Sequence, residues 1–372
     1  MIERIIAFSA RNRVIVLILA AVAVGASIVA MREIPLDAIP DLSDTQVIVY
    51  SRWDRSPDVI EDQVTYPIVT ALLGAPRVKA IRGFSDFGYS YVYIIFQDGT
   101  DLYWARSRTL EYLSKILPRL PEGVRTELGP DATGVGWVYQ YALVDKTGRH
   151  DLAEMRSFQD WSLRYWLQSV PGVAEVASIG GFQKQYQVEV DPEALLGYRI
   201  PLERVLENIR RGNNDVGGRL VEVAGAEYMV RGRGYAKSIA DIESIVVGDD
   251  GHGTPVLVRD VARVVLGPDI RRGVVDLDGV GDAVGGIVVM RSGENALNVI
   301  ERVKEKLASV RGALPQGVEI VPTYDRSELI VRSIDTLKHE LLLEMLIVSA
   351  VILIFLWHSP SSIVPIITIP VS

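Results

Sequence analysis

No cysteine occurs anywhere in the 372 residues. That excludes disulfides and thiolate metal sites, and it fits a bacterial protein facing an oxidising compartment. Histidine is nearly as scarce: His150, His252, His339 and His358 stand singly, with no i, i+4 pair to share a metal ion. Met31, Met155, Met229, Met290 and Met345 are equally scattered, so each reads as core or lipid-facing packing rather than a soft-metal cluster. No nucleophile elbow, phosphate-cradling loop or paired zinc-binding histidines is present, so catalytic, cofactor and metal residues number none. A dense block of positive charge is missing as well. With 39 Lys and Arg against 47 Asp and Glu, the net charge is −8, and nucleic acid is excluded as a partner for want of a basic surface.

What the chain does have is apolar length. Residues 14–31 (VIVLILAAVAVGASIVAM) hold no charge over eighteen positions. At about 1.5 Å per residue they nearly cross the hydrocarbon core of a bilayer. A second run, 341–357 (LLLEMLIVSAVILIFLW), is broken only by Glu344. A third, 363–371, follows a short break and reads as the start of another membrane helix, which makes the chain the front part of a longer membrane protein. Arg4, Arg11 and Arg13 outweigh Glu3 in the N-terminal tail, so the tail faces the cytoplasm and the large insert lies outside it. A cleaved signal peptide is the alternative, with small residues at Ala26, Ser27 and Ala30, but eighteen uncharged residues are long for a signal core.

The insert exceeds the size of one hydrophobic core and should divide into subdomains. Phe96 to Asp101, a helical stretch and Leu120-Pro121-Glu122-Gly123-Val124 recur 194 residues later as Met290 to Asn295, a helical stretch and Leu314-Pro315-Gln316-Gly317-Val318. Each copy reads as strand, Gly turn, capped helix and Pro-x-Gly stop before another strand. Two further helix-to-strand junctions, at 73–78 and 168–173, resemble each other and lead into apparent hairpins at 79–96 and 174–190. Together these pieces predict β-α-β-β-α-β modules, the split βαβ of ferredoxin-like folds. The fold class is an α+β membrane protein, with transmembrane helices flanking a large extracytoplasmic loop of such ferredoxin-like (split βαβ) subdomains. The expected organisation is a tail at 1–13, membrane helix 1 at 14–32, a first subdomain at 33–130, and a second at 131–181 and 264–330. A separate insertion occupies 182–263 with one helix at 202–211, helix 2 runs 338–357, and helix 3 begins at 363–372. Asp325, with Glu328 three residues on, predicts a capping-box start for one helix running from Ser327 to Trp357, straight into the membrane.

Few residues invite a chemical role. Asp37, Asp41 and Asp44 follow the first apolar run in a Pro- and Ser-containing stretch, where solvated or turn-capping acids explain them better than cation attraction. Glu344 is an acid in an apolar run, a functional hypothesis by default, yet it lies about one turn from the boundary and can reach headgroups. The loop 129–137 (GPDATGVGW) places Gly around Trp137 and reads either as a substrate path or as a tight hinge.

Seven stretches carry a family resemblance: 35–46 (PLDAIPDLSDTQ), 61–67 (EDQVTYP), 82–87 (RGFSDF), 98–108 (DGTDLYWARSR), 129–137, 227–231 (EYMVR) and 323–327 (TYDRS). They resemble the heavy-metal efflux pumps of the resistance-nodulation-division superfamily, and within it the copper/silver exporters. That resemblance implies an inner-membrane homotrimer with twelve membrane helices and two large periplasmic loops, the first made of porter subdomain 1 at 33–130, porter subdomain 2 at 131–181 and 264–330, and a docking insertion at 182–263. It also implies proton-driven export of Cu(I) or Ag(I) through a periplasmic adaptor and an outer-membrane channel. It places the proton relay and the methionine cluster beyond this chain. A relay Met of the copper/silver branch corresponds to Ile270, before Arg271-Arg272-Gly273, which points towards a divalent-metal exporter. Divalent-metal relatives tend to carry an acid at the position of Trp137, which points back to a soft monovalent ion. A membrane-tethered sensor and a drug or lipid exporter of the same superfamily are the remaining alternatives.

Overall fold

The computed structural model describes residues 7–9, 11–33, 37, 39–215, 217–218, 220–229, 232–271, 273–357 and 362. Glu3, Arg4, Arg272 and the run at 363–372 lie outside the described residues. The chain divides into two compact units. The first takes described residues of 1–148, 159–179 and 285–372, and the second those of 149–158 and 180–284.

The first unit begins with α1 (Arg13–Glu33), 21 residues long. A four-stranded sheet follows, from β1 (Gln46–Arg52), β2 (Val78–Asp86), β3 (Tyr89–Phe96) and β4 (Arg125–Leu128), in the order β2-β3-β1-β4 with every neighbouring pair antiparallel. Strand alternation decides which face is covered: Val47, Val49, Val92, Ile94 and Phe96 are buried, while Tyr50, Tyr91 and Tyr93 take the other face. The buried face packs on two helices. One is continuous through Pro57–Ile60, a π turn Glu61–Thr65 and Tyr66–Leu72, presenting Ile60, Val64, Ile68 and Leu72. The wide turn sits just before Pro67, which has no amide hydrogen to give to a regular turn. The other is α2 (Leu102–Ile116), which Asp101 caps by accepting from the Trp104 amide at 2.7 Å.

A second sheet starts with β5 (Trp137–Asp145) and β6 (Val173–Gly180), joined by a helical stretch with its own π turn, Gln159–Leu163. Gln159 is fully buried there because Tyr141 Oη donates to its Oε1 at 2.9 Å and its Nε2 donates to Ser178 Oγ at 3.3 Å.

The stretch 174–190 is not the hairpin that its alternation predicts. Gly180 and Gly181, at φ +70° and +58°, turn the chain out of the sheet, and a Cβ on Gly180 would stand 2.0 Å from the Ala283 carbonyl oxygen. The next strand, β7 (Lys184–Val190), therefore finds its partner elsewhere. In the first sheet the corresponding link is a turn at Gly88; here the second unit is inserted in its place.

That second unit holds helices Pro192–Tyr198 and Leu202–Gly212. Its strands are β8 (Leu220–Val223), β9 (Ala226–Met229), β10 (Val246–Asp249), β11 (Pro255–Leu257) and β12 (Ala262–Pro268). β7 pairs with β12, Val190 facing Ala262 and Lys184 facing Pro268. A small core of Ile200, Val205, Ile242, Val247, Val256, Val258 and Val261 lies beside that pair. β8 and β9 form a separate hairpin whose turn puts Ala224 and Gly225 at positive φ, as a two-residue hairpin loop requires. All eight of its strand residues are exposed.

The chain returns to the second sheet with β13 (Val284–Met290), then α3 (Ala296–Val310) and β14 (Val318–Asp325), giving the order β14-β5-β13-β6. Both sheets thus share one order of first, second, third and fourth strands, that of the split-βαβ module. Asn295 caps α3 through the Asn298 amide at 3.1 Å, as Asp101 caps α2. The last helix, α4 (Arg326–Leu356), is 31 residues long and is the one helix among the described residues long and apolar enough to cross a membrane. The described apolar part of α1, Arg13–Ser27, is shorter.

Candidate functional site

The loop 129–136 is held from both halves of the first unit. On one side Arg106 Nη1 donates to the Gly129 carbonyl at 2.7 Å, the Gly129 amide donates to Ile48 at 2.7 Å, and Tyr103 Oη donates to Asp131 Oδ2 at 3.0 Å. On the other, the Ser292 amide donates to the Asp131 carbonyl at 2.9 Å and the Met290 amide to the Gly136 carbonyl at 2.7 Å. Glycine keeps position 136 uncrowded, since a Cβ there would come within 3.1 Å of the carbonyl oxygens of Met290 and Thr133. With its backbone so engaged, the loop joins the two sheets. Trp137, the first residue of β5, remains 55 % exposed at its end.

Three segments meet at this loop. Asp41 is tied to it by Thr133: burial raises the Asp41 pKa, but hydrogen bonds from Thr133 and Ser43, and the charge of Arg326, hold it below the ordinary carboxylate value. Arg326, at the head of α4, is 1 % exposed; its Nη1 donates to the Val135 carbonyl and its Nη2 to the Ile39 carbonyl at 3.4 Å. Its Nε stands 2.9 Å from Asp37 Oδ1, an ion pair without good hydrogen-bond alignment. The sequence reading of the three acids as turn-capping groups holds in part. Asp37 and Asp41 accept from the Ile39 and Ser43 amides, at 3.3 Å and 3.0 Å, while Asp44 pairs with Lys79 at 3.1 Å. Arg326 thus acts on both Asp37 and Asp41, while Asp44 faces Lys79.

Asp325 caps α4 through the Ser327 amide at 2.9 Å and pairs with Lys304 of α3. The cap is to Ser327, not the Glu328 box that the spacing predicts. Burial raises the Asp325 pKa, but Lys304 and Ser327 lower it more, and it ends below the ordinary 3.8. A carboxylate with a depressed folded pKa stabilises the fold above its unfolded value and ceases to do so as pH falls through the folded one. Asp325→Ala is therefore expected to cost about 1–2 kcal/mol at neutral pH, and Asp325→Asn, which can still cap, less. In chemical denaturation followed from pH 7 downward, the gap between either variant and the parent should begin to close only near pH 3.8 and shrink further below it. A gap independent of pH would show that the charge contributes nothing.

The remaining candidates are dispersed. Ile270 is 77 % exposed in the second unit, next to Arg271, which pairs with Asp282 at 2.7 Å. Met155 and Met290 are buried, as packing residues should be. Met229 is not core: it is 77 % exposed on the β8–β9 hairpin, whose eight strand residues are all exposed. Glu344 is exposed on α4. Among the described residues, no three His, Cys, Asp or Glu stand close enough to hold a metal ion. Sequence reasoning missed Arg326; its signal was its place directly after a capping Asp, in the TYDRS stretch.

Comparison with known proteins agrees with this architecture. The cation efflux system protein CusA of Escherichia coli (strain K12) is 52 % identical over 371 residues, all of this chain and 35 % of that protein. The cobalt-zinc-cadmium resistance protein CzcA of Cupriavidus metallidurans is 36 % identical, again over all of this chain and 36 % of its own length. A crystal structure of a heavy metal efflux pump superposes with a TM-score of 0.88 at 32 % identity, covering 99 % of this chain and 37 % of that one. The chain spans about a third of the length of these relatives. The model of the AcrB/AcrD/AcrF family matches residues 5–372, and the chain belongs to that family.

Proposed function

We propose that this chain is the N-terminal part of an inner-membrane transporter that exports Cu(I) or Ag(I) in exchange for protons. The observation that carries the reading is the gradient of identity: 52 % to CusA, a cation efflux protein, against 36 % to the cobalt-zinc-cadmium protein CzcA, over the same whole chain. Trp137 offers no carboxylate where the divalent-metal relatives tend to have one. The metal is cargo, and the residues that grip it belong to the part of the transporter beyond residue 372.

In this reading α1 and α4 are membrane helices 1 and 2, with residues 33–337 in the periplasm. The two sheets are the cores of the two porter subdomains, and the second unit, in which β12 pairs with β7, carries the docking insertion, so the insertion extends past residue 263. The transporter works as a homotrimer with a periplasmic adaptor and an outer-membrane channel. The bare β8–β9 hairpin supports that assembly, because two strands with Leu220, Val223, Tyr228 and Met229 all exposed are marginal in water without a partner.

The test is the resistance profile of the complete transporter in a strain lacking its own metal pumps. Protection against copper and silver, with none against zinc or cobalt, is expected. A second reading, a divalent-metal exporter, is favoured by Ile270, which stands where the copper/silver branch has a relay Met. Protection against zinc or cobalt alone would establish it and overturn the first.

A further inference from the structure

Arg326 sits where three chain segments far apart in sequence converge. Arginine is almost never fully buried unless paired, and this one is 1 % exposed. All three of its nitrogens face groups outside its own helix: Asp37 and Ile39, just beyond α1, and Val135 in the junction loop. A second contact lies beside the first, where the Thr133 side chain approaches Asp41 and helps hold its carboxyl below the ordinary value. Ser43 continues the same line, its Oγ 3.4 Å from the position a Cβ would take on Gly134. The loop in turn carries the backbone bonds to Met290 and Ser292, so a force on the head of α4 reaches the end of the inner strand β13 of the second sheet through Val135 and Gly136.

We propose that Arg326 is a positioning residue that clamps the segment after α1 and the junction loop onto the head of α4, and that this clamp stays closed throughout the transport cycle. The segment from Asp37 to Ser43, the loop and the head of α4 then move as one body. The physical reason is the charge: opening the clamp would leave a buried guanidinium without its carboxylate and two carbonyls without a donor. A lysine cannot replace it, having no planar fork to reach three separated acceptors at once. The transport half of this inference rests on the function proposed above; the clamp itself does not.

The experiment uses the complete transporter with Ser43→Cys and Gly134→Cys introduced together. Their spacing suits a disulfide after small adjustment, and this chain has no native cysteine to compete. Diamide oxidises the two thiols, and Ag(I) uptake into proteoliposomes is measured, with the single-cysteine variants as controls for silver held by free thiols. Rapid disulfide formation is expected, with uptake in the oxidised protein within twofold of the parent. Arg326→Gln is expected to slow disulfide formation and to reduce maximal Ag(I) uptake at least tenfold, with half-saturation changed less than twofold. Oxidation should restore most of that uptake, and reduction followed by desalting should remove it again.

Uptake abolished by oxidation in the Arg326 background would show that the clamp must open, and would overturn the proposal. So would unchanged disulfide formation in Arg326→Gln. Should Arg326→Gln not accumulate, Asp37→Asn, which removes the carboxylate alone, is expected to give an intermediate loss in both measurements; no change in either would overturn the clamp. If the parent takes up no Ag(I) while disulfide formation still depends on Arg326, the clamp stands and the function reading fails.

Discussion

Gly285→Ala is expected to destabilise the first unit by about 2–3 kcal/mol, the cost of forcing an extra group into a packed core. A Cβ at this position would lie 2.3 Å from the Tyr141 carbonyl oxygen on the neighbouring strand β5, and backbone cannot step aside as a side chain can. At the adjacent Gly286 the Cβ would meet Tyr141 Oη at 2.4 Å. Tyr141 has no room to swing away, being 1 % exposed and tied to the buried Gln159. Thermal or urea unfolding of the purified protein measures both effects. Gly74→Ala is the control, because a Cβ there meets nothing within 4 Å; it should change stability by less than about 0.5 kcal/mol. If Gly285→Ala unfolds with Gly74→Ala, β5 and β13 do not pack as described.

Val221→Glu combined with Tyr228→Lys is expected to convert the proposed trimer to monomers. The two residues face each other across the β8–β9 hairpin, so the exchange replaces an apolar pair with an ion pair and leaves the hairpin itself supported. What is lost is apolar surface for a partner: Tyr228 is 59 % exposed and Val221 44 % exposed in this chain. Burying such surface is what stabilises an obligate interface, and charges placed at its centre oppose it. Light scattering on the complete transporter in detergent, across a hundredfold range of concentration, reads the shift directly. A trimer that survives the double change at low concentration would move the assembly contact elsewhere.

Much of the fold was legible before any coordinates. The recurrence of Gly turn, capped helix and Leu-Pro stop at a fixed offset reflects local physics, because a cap such as Asp101 or Asn295 acts within one helical turn. Strand alternation in β1 and β3 likewise declares which face is covered, since successive side chains point to opposite faces. The hairpin at 174–190 failed for a complementary reason. Alternation says that β6 and β7 are strands, but strand partners are chosen across the whole chain, and two positive-φ glycines sent β7 to β12 instead.

The junction was the least legible part. Asp37, Asp41, the loop 129–136 and Arg326 were each visible as residues, and the first two were read as local turn groups, which they partly are. Their meeting involves separations of up to 287 positions, which no local pattern encodes. Amino-acid order by itself determined the apolar helices, the two repeated modules, the absence of cysteine chemistry and the family. Only the tertiary structure decided that Arg326 would be buried, because burial of a charge depends on whether distant chain delivers a carboxylate and carbonyls to meet it.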